Sequence, residues 1–489
     1  MVNYYSSVDN SDFENDTCNK KEFTKYSLSN SSNGRRNSLK PHQQWIANYI
    51  NPKTPFKGLL VYHETGTGKT CTAISVAENF REELARKRKK IYILSSENIK
   101  EEFYRTISNP GGSFKCTGDT YHDMLASAEI TQKNINSKIN QFYTFMTHYT
   151  FGARLMDAVA NLLAKGKSNE NIIEYIKKEY SSSVIIIDEA QHLRAKFDSS
   201  DKKKSGEKPI HDAIDLITKY AEDVKILFLT ATPMYDNPTE IIWIINVLIR
   251  LNESKGTEEL DINDIFLNEN HGYAFTPTGE EKFINAIKGK VTFLRNGDPK
   301  NFPLSLSDPD ALGKWPEHIK YDFNGGPLLD AEVPVLTISK MSKKHYKIIE
   351  KHNNSPNTDS FHMQQMQMHN VSWHTKMDED SNDSPGLQQY FKITQSDGSP
   401  KLYKPLNPNV LDNLSEFAPK VQTIVNHILE MDSGIAFIFS QFISSGVVPM
   451  ILALEANGFS KYDGKAADIK HLDQTNIRDK GRYLVITSD

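Results

Sequence analysis

A glycine-rich turn that ends in a lysine and a threonine is the part of this sequence best suited to binding phosphate. It closes the run Val61-Tyr-His-Glu-Thr-Gly-Thr-Gly-Lys-Thr70, which follows the apolar residues Gly58–Leu60. The run predicts a buried strand, a turn and a helix that begins near Lys69. Backbone N–H groups and the positive end of the helix dipole would then surround a phosphate chain. The turn therefore predicts an ATP or GTP site.

The residue types within this turn suit separate tasks. Glycine lets the backbone approach phosphate without a Cβ clash, lysine reaches the β- and γ-phosphates, and a threonine hydroxyl ligates Mg²⁺. His63 stands where the general phosphate-loop pattern has its first glycine, so the match is imperfect, and a plain glycine turn is the alternative. The predicted nucleotide-binding residues of the turn are Thr65, Gly66, Thr67, Gly68, Lys69 and Thr70.

An acidic pair follows a continuous apolar run further along the chain. Ser183-Val-Ile-Ile-Ile187 predicts a strand buried on both faces, and Asp188-Glu-Ala-Gln191 comes directly after it. Asp188 could hold Mg²⁺ and Glu189 could act as a general base toward water, which with Lys69 gives the predicted catalytic set. The alternative is that Asp188 only caps a helix. The phosphate loop upstream favours catalysis.

Two threonines follow another apolar run, Val224–Leu229. The hydroxyls of Thr230 and Thr232 would lie at the end of a neighbouring strand, where they could respond to the γ-phosphate. The alternative is a simple strand-to-turn hydrogen-bonding role.

The elements that must position these residues alternate between strands and helices. This alternation predicts a doubly wound parallel α/β domain over residues 39–250. Residues 1–38 are polar and predict a disordered tail, and residues 251–414 predict an irregular linker or insertion with one strand near Gly289–Arg295. Residues 415–489 begin a second α/β unit, whose predicted elements are helix Val421–Glu430, strand Ile435–Phe439, helix Val447–Ala456 and strand Arg482–Thr487.

Composition limits the partners and the compartment. The formal net charge is −4, so any contact with nucleic acid must come from local grooves. The odd number of cysteines, Cys18, Cys71 and Cys116, predicts no disulfide framework and a reducing compartment. There is no apolar secretory signal, and the longest apolar run, Ile241–Ile249, is too short to span a bilayer. We therefore expect no membrane association.

Together the motifs resemble those of superfamily 2 helicase-like ATPases, in particular the ATPases of large nucleocytoplasmic DNA viruses. Motifs Q, I, II and III are matched by Leu39-x-Pro-His-Gln43, His63–Thr70, Asp188–Gln191 and Thr230–Pro233. The sequence is similar to nucleoside triphosphate phosphohydrolase I. It is also similar to the small subunit of the poxvirus-type early transcription factor, through Gly289–Phe293, Met341–Lys344, Phe437–Gln441 and Asn457–Gly464.

The resemblance implies a RecA-like P-loop fold, ATP and Mg²⁺ as cofactors, and roles for further residues. Gln43 would read the adenine edge, and Gln191 would contact nucleotide as a variant of the usual histidine, giving a DEAQ box. Thr70 and Asp188 would be the metal ligands, and Thr230 and Thr232 would couple the nucleotide to the rest of the protein. The implied nucleic-acid contacts are Ser95, Ser96, Thr147, Ser440 and Gln441.

The resemblance also implies partners and a location. Nucleic acid is expected, with DNA favoured over RNA, together with a viral RNA polymerase or a second transcription-factor subunit, in the virion and the host cytoplasm. The family's second lobe continues through motifs V and VI, whereas this sequence ends at Asp489. An arginine finger from motif VI contributes about 10³–10⁵ in rate. We therefore expect an incomplete second RecA-like lobe in a truncated, split or partner-completed protein that binds ATP and hydrolyses it poorly. A non-catalytic, ATP-gated transcription-factor subunit is the alternative.

Overall fold

The protein is described here from a computed structural model, which divides into two compact units, Met1–Leu304 and Ser305–Asp489. The residues that the structure describes are 4–6, 8, 10, 12–26, 39–108, 116–117, 121, 132–193, 209–234, 237–253, 257–269, 272–295, 339–353, 366–372, 391–394, 402–405, 414–462 and 481–486.

A parallel sheet dominates the first unit. Among the described residues it has six strands in the order β3-β2-β4-β5-β1-β8, and every neighbouring pair is parallel. The predicted RecA-like α/β fold is therefore confirmed. The strands are β1 (Gly58–His63), β2 (Ile91–Leu94), β3 (Tyr143–Met146), β4 (Val184–Ile187), β5 (Lys225–Thr230) and β8 (Val291–Leu294), while β6 (Phe266–Glu269) and β7 (Gly272–Phe275) form a separate antiparallel pair.

Helices connect these strands and cover the sheet. The long ones include α3 (Pro41–Tyr49), α4 (Lys69–Lys87), α5 (Glu97–Ser108), α6 (Gln132–Phe142), α7 (His148–Ala164), α8 (Asn169–Tyr180), α9 (Pro209–Tyr220), α10 (Ile241–Asn252) and α12 (Gly279–Ile287), and α11 (Ile262–Ile265) is a single turn. Short 3₁₀ turns span Ala190–Leu193 and Pro238–Glu240.

The apolar run of β4 shows why the sheet is buried on both faces. Successive side chains of a strand point to opposite faces. Accordingly Val184 and Ile186 belong to one apolar cluster, and Ile185 and Ile187 belong to another. All four are buried, because helices cover both sides of the sheet. The functional residues that follow β4 therefore start from a fixed backbone.

The prediction of a disordered tail over residues 1–38 is wrong for part of that segment. Helices α1 (Phe13–Cys18) and α2 (Lys21–Thr24) form there. Phe13 packs edge-on against Phe56, with ring centroids 5.6 Å apart, and Phe23 lies 5.0 Å from the ring of Trp45. The burial of these two aromatic rings joins an otherwise polar segment to the hydrophobic core. Residues 27–38 lie outside the described residues.

The predicted domain boundary at residue 250 omits a strand of the sheet. β8 comes from the segment predicted as a linker and pairs with β1 in parallel, with Leu60 opposite Val291. Lys290 at its start forms a 2.5 Å ion pair with Glu253, and both side chains are almost fully buried. The predicted strand near Gly289–Arg295 is confirmed as β8, but its local sequence does not show which sheet it joins. Much of the remaining predicted linker, including residues 296–338, lies outside the described residues.

The first unit contains one disulfide, although the cysteines predicted no disulfide framework and a reducing compartment. Cys71 and Cys116 are bonded, with Cα atoms 5.3 Å apart and a sequence separation of 45, whereas Cys18 is free and exposed. The odd number of cysteines carried no information on which two would lie together. Within the described ranges, no helix is long and apolar enough to cross a membrane.

The second unit contains short elements around a small apolar cluster. Helices α13 (Lys343–Asn353), α14 (Leu414–Phe417), α15 (Pro419–Glu430) and α16 (Val448–Ala456) are described, with a π-helical turn at Ile443–Val447. The antiparallel pair is β9 (Phe391–Thr394) with β10 (Leu402–Pro405), and the parallel pair is β11 (Phe459–Lys461) with β12 (Gly481–Tyr483).

Two of the predicted helices of this unit are confirmed as α15 and α16, but the predicted strand Ile435–Phe439 is wrong. That segment belongs to no helix or strand, and Ile435 is 96% exposed and Phe437 88% exposed. An apolar run becomes a strand only where another strand offers hydrogen bonds. In the described part of this unit, no strand pairs with Ile435–Phe439. The predicted strand from Arg482 is the shorter β12.

Candidate nucleotide-binding site

The segments that follow β1, β4 and β5 meet at one edge of the sheet. These three strands are neighbours in the order β4-β5-β1, so their carboxyl ends lie side by side. The glycine turn follows β1, the acidic pair follows β4, and Thr230 is the last residue of β5. In parallel α/β sheets this edge is where ligands bind.

The glycine turn has the backbone of a phosphate-binding loop. Gly66 and Gly68 have φ angles of 73° and 90°, a region that residues with a Cβ rarely adopt. A Cβ at Gly68 would lie 2.6 Å from Nε2 of Gln43. Thr67 fixes the turn from within, because its hydroxyl donates to the Glu64 carbonyl at 2.8 Å. Lys69 begins helix α4, and its ammonium donates to the carbonyl of His63 at 3.0 Å.

Helix α3 holds the outer side of this loop. The Gln43 amide donates to the Gly68 carbonyl at 3.0 Å and accepts from the backbone N–H of Lys40 at 2.8 Å. His42 Nε2 lies 3.2 Å from the Thr67 carbonyl, and the Lys40 ammonium donates to the same oxygen at 3.4 Å. The sequence prediction included Gln43 and missed its two neighbours. The signal that could have found them was their position at the start of α3, where Lys40 is the N-cap and His42 lies on the first turn next to Gln43.

His63 shows why the first glycine of the pattern is dispensable here. Its ring is buried against the ring of His42, with centroids 5.5 Å apart, and its Nε2 lies 3.3 Å from the Thr292 hydroxyl on β8. Burial, followed by the nearby His42 and Lys69, lowers the pKa of His63 to about 3. Burial likewise lowers the pKa of His42 to about 4. Both rings are therefore neutral near pH 7.

The acidic pair and the loop lysine share one electrostatic environment. Asp188 is 6% exposed, and its Oδ1 accepts the backbone N–H of Glu189 at 3.0 Å. Burial, and then the charge of Glu189, raise the pKa of Asp188 to about 6. Burial lowers the pKa of Lys69, and the charges of Glu189 and Asp188 oppose that change. The structure thus brings the acidic pair close enough to Lys69 for their charges to interact.

A chain of hydrogen bonds joins the acidic pair to the end of β5. The Gln191 amide donates to Glu189 Oε2 at 2.7 Å, and the Thr230 hydroxyl donates to Gln191 Oε1 at 2.6 Å. The backbone N–H of Thr232 donates back to the Thr230 hydroxyl at 2.9 Å. Gln191 therefore contacts the predicted base on one side and the predicted coupling threonine on the other.

The residues predicted to contact nucleic acid fall into two groups. Ser95 is buried after β2 and Ser96 is exposed beside it, while Thr147 follows β3 and accepts the Thr150 N–H at 3.1 Å as the N-cap of α7. These three lie at the same edge of the sheet as the glycine turn. Ser440 and Gln441 belong to the second unit, where the Ser440 hydroxyl donates to the Phe442 carbonyl at 3.1 Å.

The residues present fit a magnesium–nucleotide complex. Thr70 and Asp188 offer a hydroxyl and a carboxylate, which are the oxygen donors that Mg²⁺ prefers. The turn after β1 has two glycines with positive φ, and successive N–H groups in such a turn can form a site for phosphate. These residues would hold the metal and the phosphate chain between β1 and β4.

The fold and the turn define a RecA-like P-loop domain, and comparison with known proteins agrees. Residues 36–235 match the family model described as the res subunit of type III restriction enzymes. The chain is 28% identical over 475 residues to a protein named as a helicase in Invertebrate iridescent virus 3, a match that covers 94% of this chain and 41% of the relative. It is also similar to a protein named as an ATP-dependent RNA helicase in Acanthamoeba polyphaga mimivirus, with 29% identity over 289 residues, 54% of this chain and 23% of the relative.

A third relative is the termination factor NPH-I homolog of African swine fever virus, with 21% identity over 257 residues, 51% of this chain and 30% of the relative. The chain spans less than half the length of each of these relatives. The predicted resemblance to helicase-like ATPases of large nucleocytoplasmic DNA viruses is confirmed.

Proposed function

We propose that this chain is an ATP-dependent translocase or helicase of superfamily 2, which acts on nucleic acid during viral transcription. The observation that carries the proposal is the position of Lys69 and of the pair Asp188 and Glu189 at one edge of the sheet, after strands β1 and β4, which only β5 separates. A phosphate loop coupled to an acidic pair is the arrangement that nucleotide hydrolysis requires. The names of the viral relatives support a helicase-type activity.

The proposed division of labour follows from the side chains. Lys69 and the N–H groups of the turn would bind the phosphates, and Thr70 and Asp188 would hold Mg²⁺, which would supply charge neutralisation at the phosphate oxygens. Glu189 orients the attacking water and takes its proton on a carboxylate oxygen. Gln191 and Thr230 transmit the change at Glu189 to the end of β5.

We propose double-stranded DNA as the track. Support for a role in transcription comes from the relative named as a termination factor. Because two other relatives are named as RNA helicases, RNA is the competing substrate. A viral RNA polymerase or a second transcription-factor subunit would be the protein partner, in the virion and the host cytoplasm.

Replacing the loop lysine tests the proposal. Lys69→Ala should abolish Mg-ATP binding, because it removes the cation that faces the β- and γ-phosphates, and calorimetric titration would measure the loss. Lys87→Ala, at the other end of α4, is the matched control and should bind normally. Unchanged affinity in Lys69→Ala would contradict the proposal. ATPase assays with duplex DNA, single-stranded DNA and RNA would then identify the track.

A non-catalytic, nucleotide-gated transcription-factor subunit is the second candidate. The exposed apolar residues Ile435, Phe437 and Phe439 of the second unit favour it, since they offer a surface to a partner protein. Turnover separates the two candidates. Nucleic-acid-stimulated hydrolysis supports the motor, whereas tight Mg-ATP binding without hydrolysis on any nucleic acid supports the gated subunit.

A further inference from the structure

The peptide group between Asp188 and Glu189 is held at both of its polar ends. Its N–H donates to Asp188 Oδ1 at 3.0 Å, and its carbonyl oxygen lies 3.0 Å from His148 Nε2. This peptide precedes a residue in an uncommon conformation, since Glu189 has a φ of 51°. The left-handed region disfavours residues that carry a Cβ, so such a conformation persists only where the surroundings impose it. The two hydrogen bonds are contacts able to impose it.

Rigid elements hold the His148 ring in place. His148 is the first residue of α7, directly after the Thr147 N-cap, and β3 pairs with β2, which in turn pairs with β4. At the strand ends the Ser95 N–H donates to the Met146 carbonyl at 3.1 Å, and the Asp188 N–H donates to the Leu94 carbonyl at 2.9 Å. His148 therefore reaches across β2 to the end of β4 from a fixed starting point. Because its partner is a carbonyl, Nε2 carries the hydrogen.

The conformation of Glu189 decides where its carboxylate lies. That carboxylate accepts the Gln191 amide at 2.7 Å, and Gln191 in turn accepts the Thr230 hydroxyl. If the Asp188–Glu189 peptide rotated toward negative φ, the Glu189 side chain would leave this position and the link to β5 would break. The distance between a general base and its water is a sensitive quantity in catalysis.

We propose that His148 is a positioning residue for Glu189, which fixes the Asp188–Glu189 peptide so that the carboxylate faces the reacting water. The inference deepens the proposed function and rests on it, because positioning a base matters only where nucleotide is hydrolysed. The segment after β3 therefore contacts the acidic pair directly, through His148. Nucleic acid bound to this segment would then influence Glu189 through the hydrogen bond between His148 and the Asp188 carbonyl.

The kinetic test replaces His148 by alanine and by glutamine in the full chain. His148→Ala should lower kcat by about 10–100-fold at saturating nucleic acid, while KM for ATP and the Kd for Mg-ADP stay unchanged, since misplacing a catalytic group by about 1 Å costs about 10²-fold. His148→Gln, whose amide can still donate to the carbonyl, should recover most of the rate. His427→Ala, an exposed histidine of α15, is the matched control and should match the wild type.

A structural readout keeps the test independent of activity. A crystal structure of His148→Ala should show Glu189 at negative φ, and a structure of His148→Gln should retain the left-handed value. The inference is overturned if Glu189 stays left-handed in His148→Ala. It is also overturned if kcat is unchanged, or if KM and Kd worsen together with a collapse in Tm. Absence of hydrolysis in the wild type would refute the proposed function instead, and the crystal structure would still decide on the peptide.

Discussion

Asp188 keeps a charged carboxylate in a buried position next to a second acid. Its pKa rises from 3.8 to about 6, chiefly because of burial, so the folded protein binds this proton more tightly than the unfolded chain does. The carboxylate therefore destabilises the fold progressively as the pH rises from about 4 to about 6, and fully above that range. The rise corresponds to about 3 kcal/mol. A destabilising carboxylate in a cleft is typical of a residue kept for function.

Replacing this carboxylate should stabilise the protein in a pH-dependent way. Asp188→Asn keeps an oxygen that can accept the Glu189 N–H and removes the buried charge. We expect its free energy of unfolding to exceed that of the wild type by up to about 3 kcal/mol at pH 8, and by little at pH 4. Urea denaturation at both pH values measures this, with the exposed Asp157→Asn as control. An equal effect at both pH values would show that the charge is not responsible.

The turn after β1 allows the effect of backbone strain on nucleotide binding to be distinguished from the effect of a specific side-chain contact. Gly68 and Gly166 both have positive φ, but a Cβ at Gly68 would meet the Gln43 amide at 2.6 Å, whereas one at Gly166 would meet nothing within 4 Å. The two positions therefore form a matched pair, because alanine meets a similar backbone penalty at each and displaces a neighbour only at Gly68.

We expect Gly68→Ala and Gly166→Ala each to lower the free energy of unfolding by about 1–2 kcal/mol. Only Gly68→Ala should weaken Mg-ATP binding, by tenfold or more, because it displaces Gln43 from the loop and alters the path of the N–H groups. Thermal melts and nucleotide titrations on the two proteins make the comparison. Equal nucleotide affinity in the two variants would contradict the importance of the close contact.

Elements whose identity depends on local residues were predictable from the sequence, and elements defined by distant partners were not. The strand before Asp188 could be predicted because a continuous apolar run favours a strand that is buried on both faces of a parallel sheet. By contrast, strands were predicted both for β8 and for Ile435–Phe439, and of the two only β8 has another strand beside it. The same limit applies to the site, where Lys69 and Asp188 follow from motifs while the contact of His148 with Asp188 depends on three neighbouring strand ends.

At the scale of the whole molecule, the bond between Cys71 and Cys116 closes a loop across 45 residues of the first unit. It joins the residue after Thr70 to a segment that follows α5. In the chain-entropy description, a loop of this length stabilises the folded state by about 4 kcal/mol. The bond therefore contributes a large part of the stability expected for a single unit.

Breaking this bond should lower the stability of the first unit. Cys116→Ser, or reduction by a thiol reagent, should reduce the free energy of unfolding by about 4 kcal/mol and lower Tm accordingly. Cys18→Ser is the control and should leave Tm unchanged, since Cys18 is free and exposed. Identical melting with and without the thiol reagent would show that the cysteines are not paired in solution.

The late position of β8 in the chain has a consequence for how the protein is made. Thr292 of this strand contacts His63 across 229 residues of sequence. At about 5–20 residues per second, the ribosome needs roughly 10–50 seconds to produce those residues. During that interval β1 and the glycine turn exist without their outer neighbour and expose an open edge. We therefore expect the newly made first unit to bind a chaperone until translation has passed residue 294.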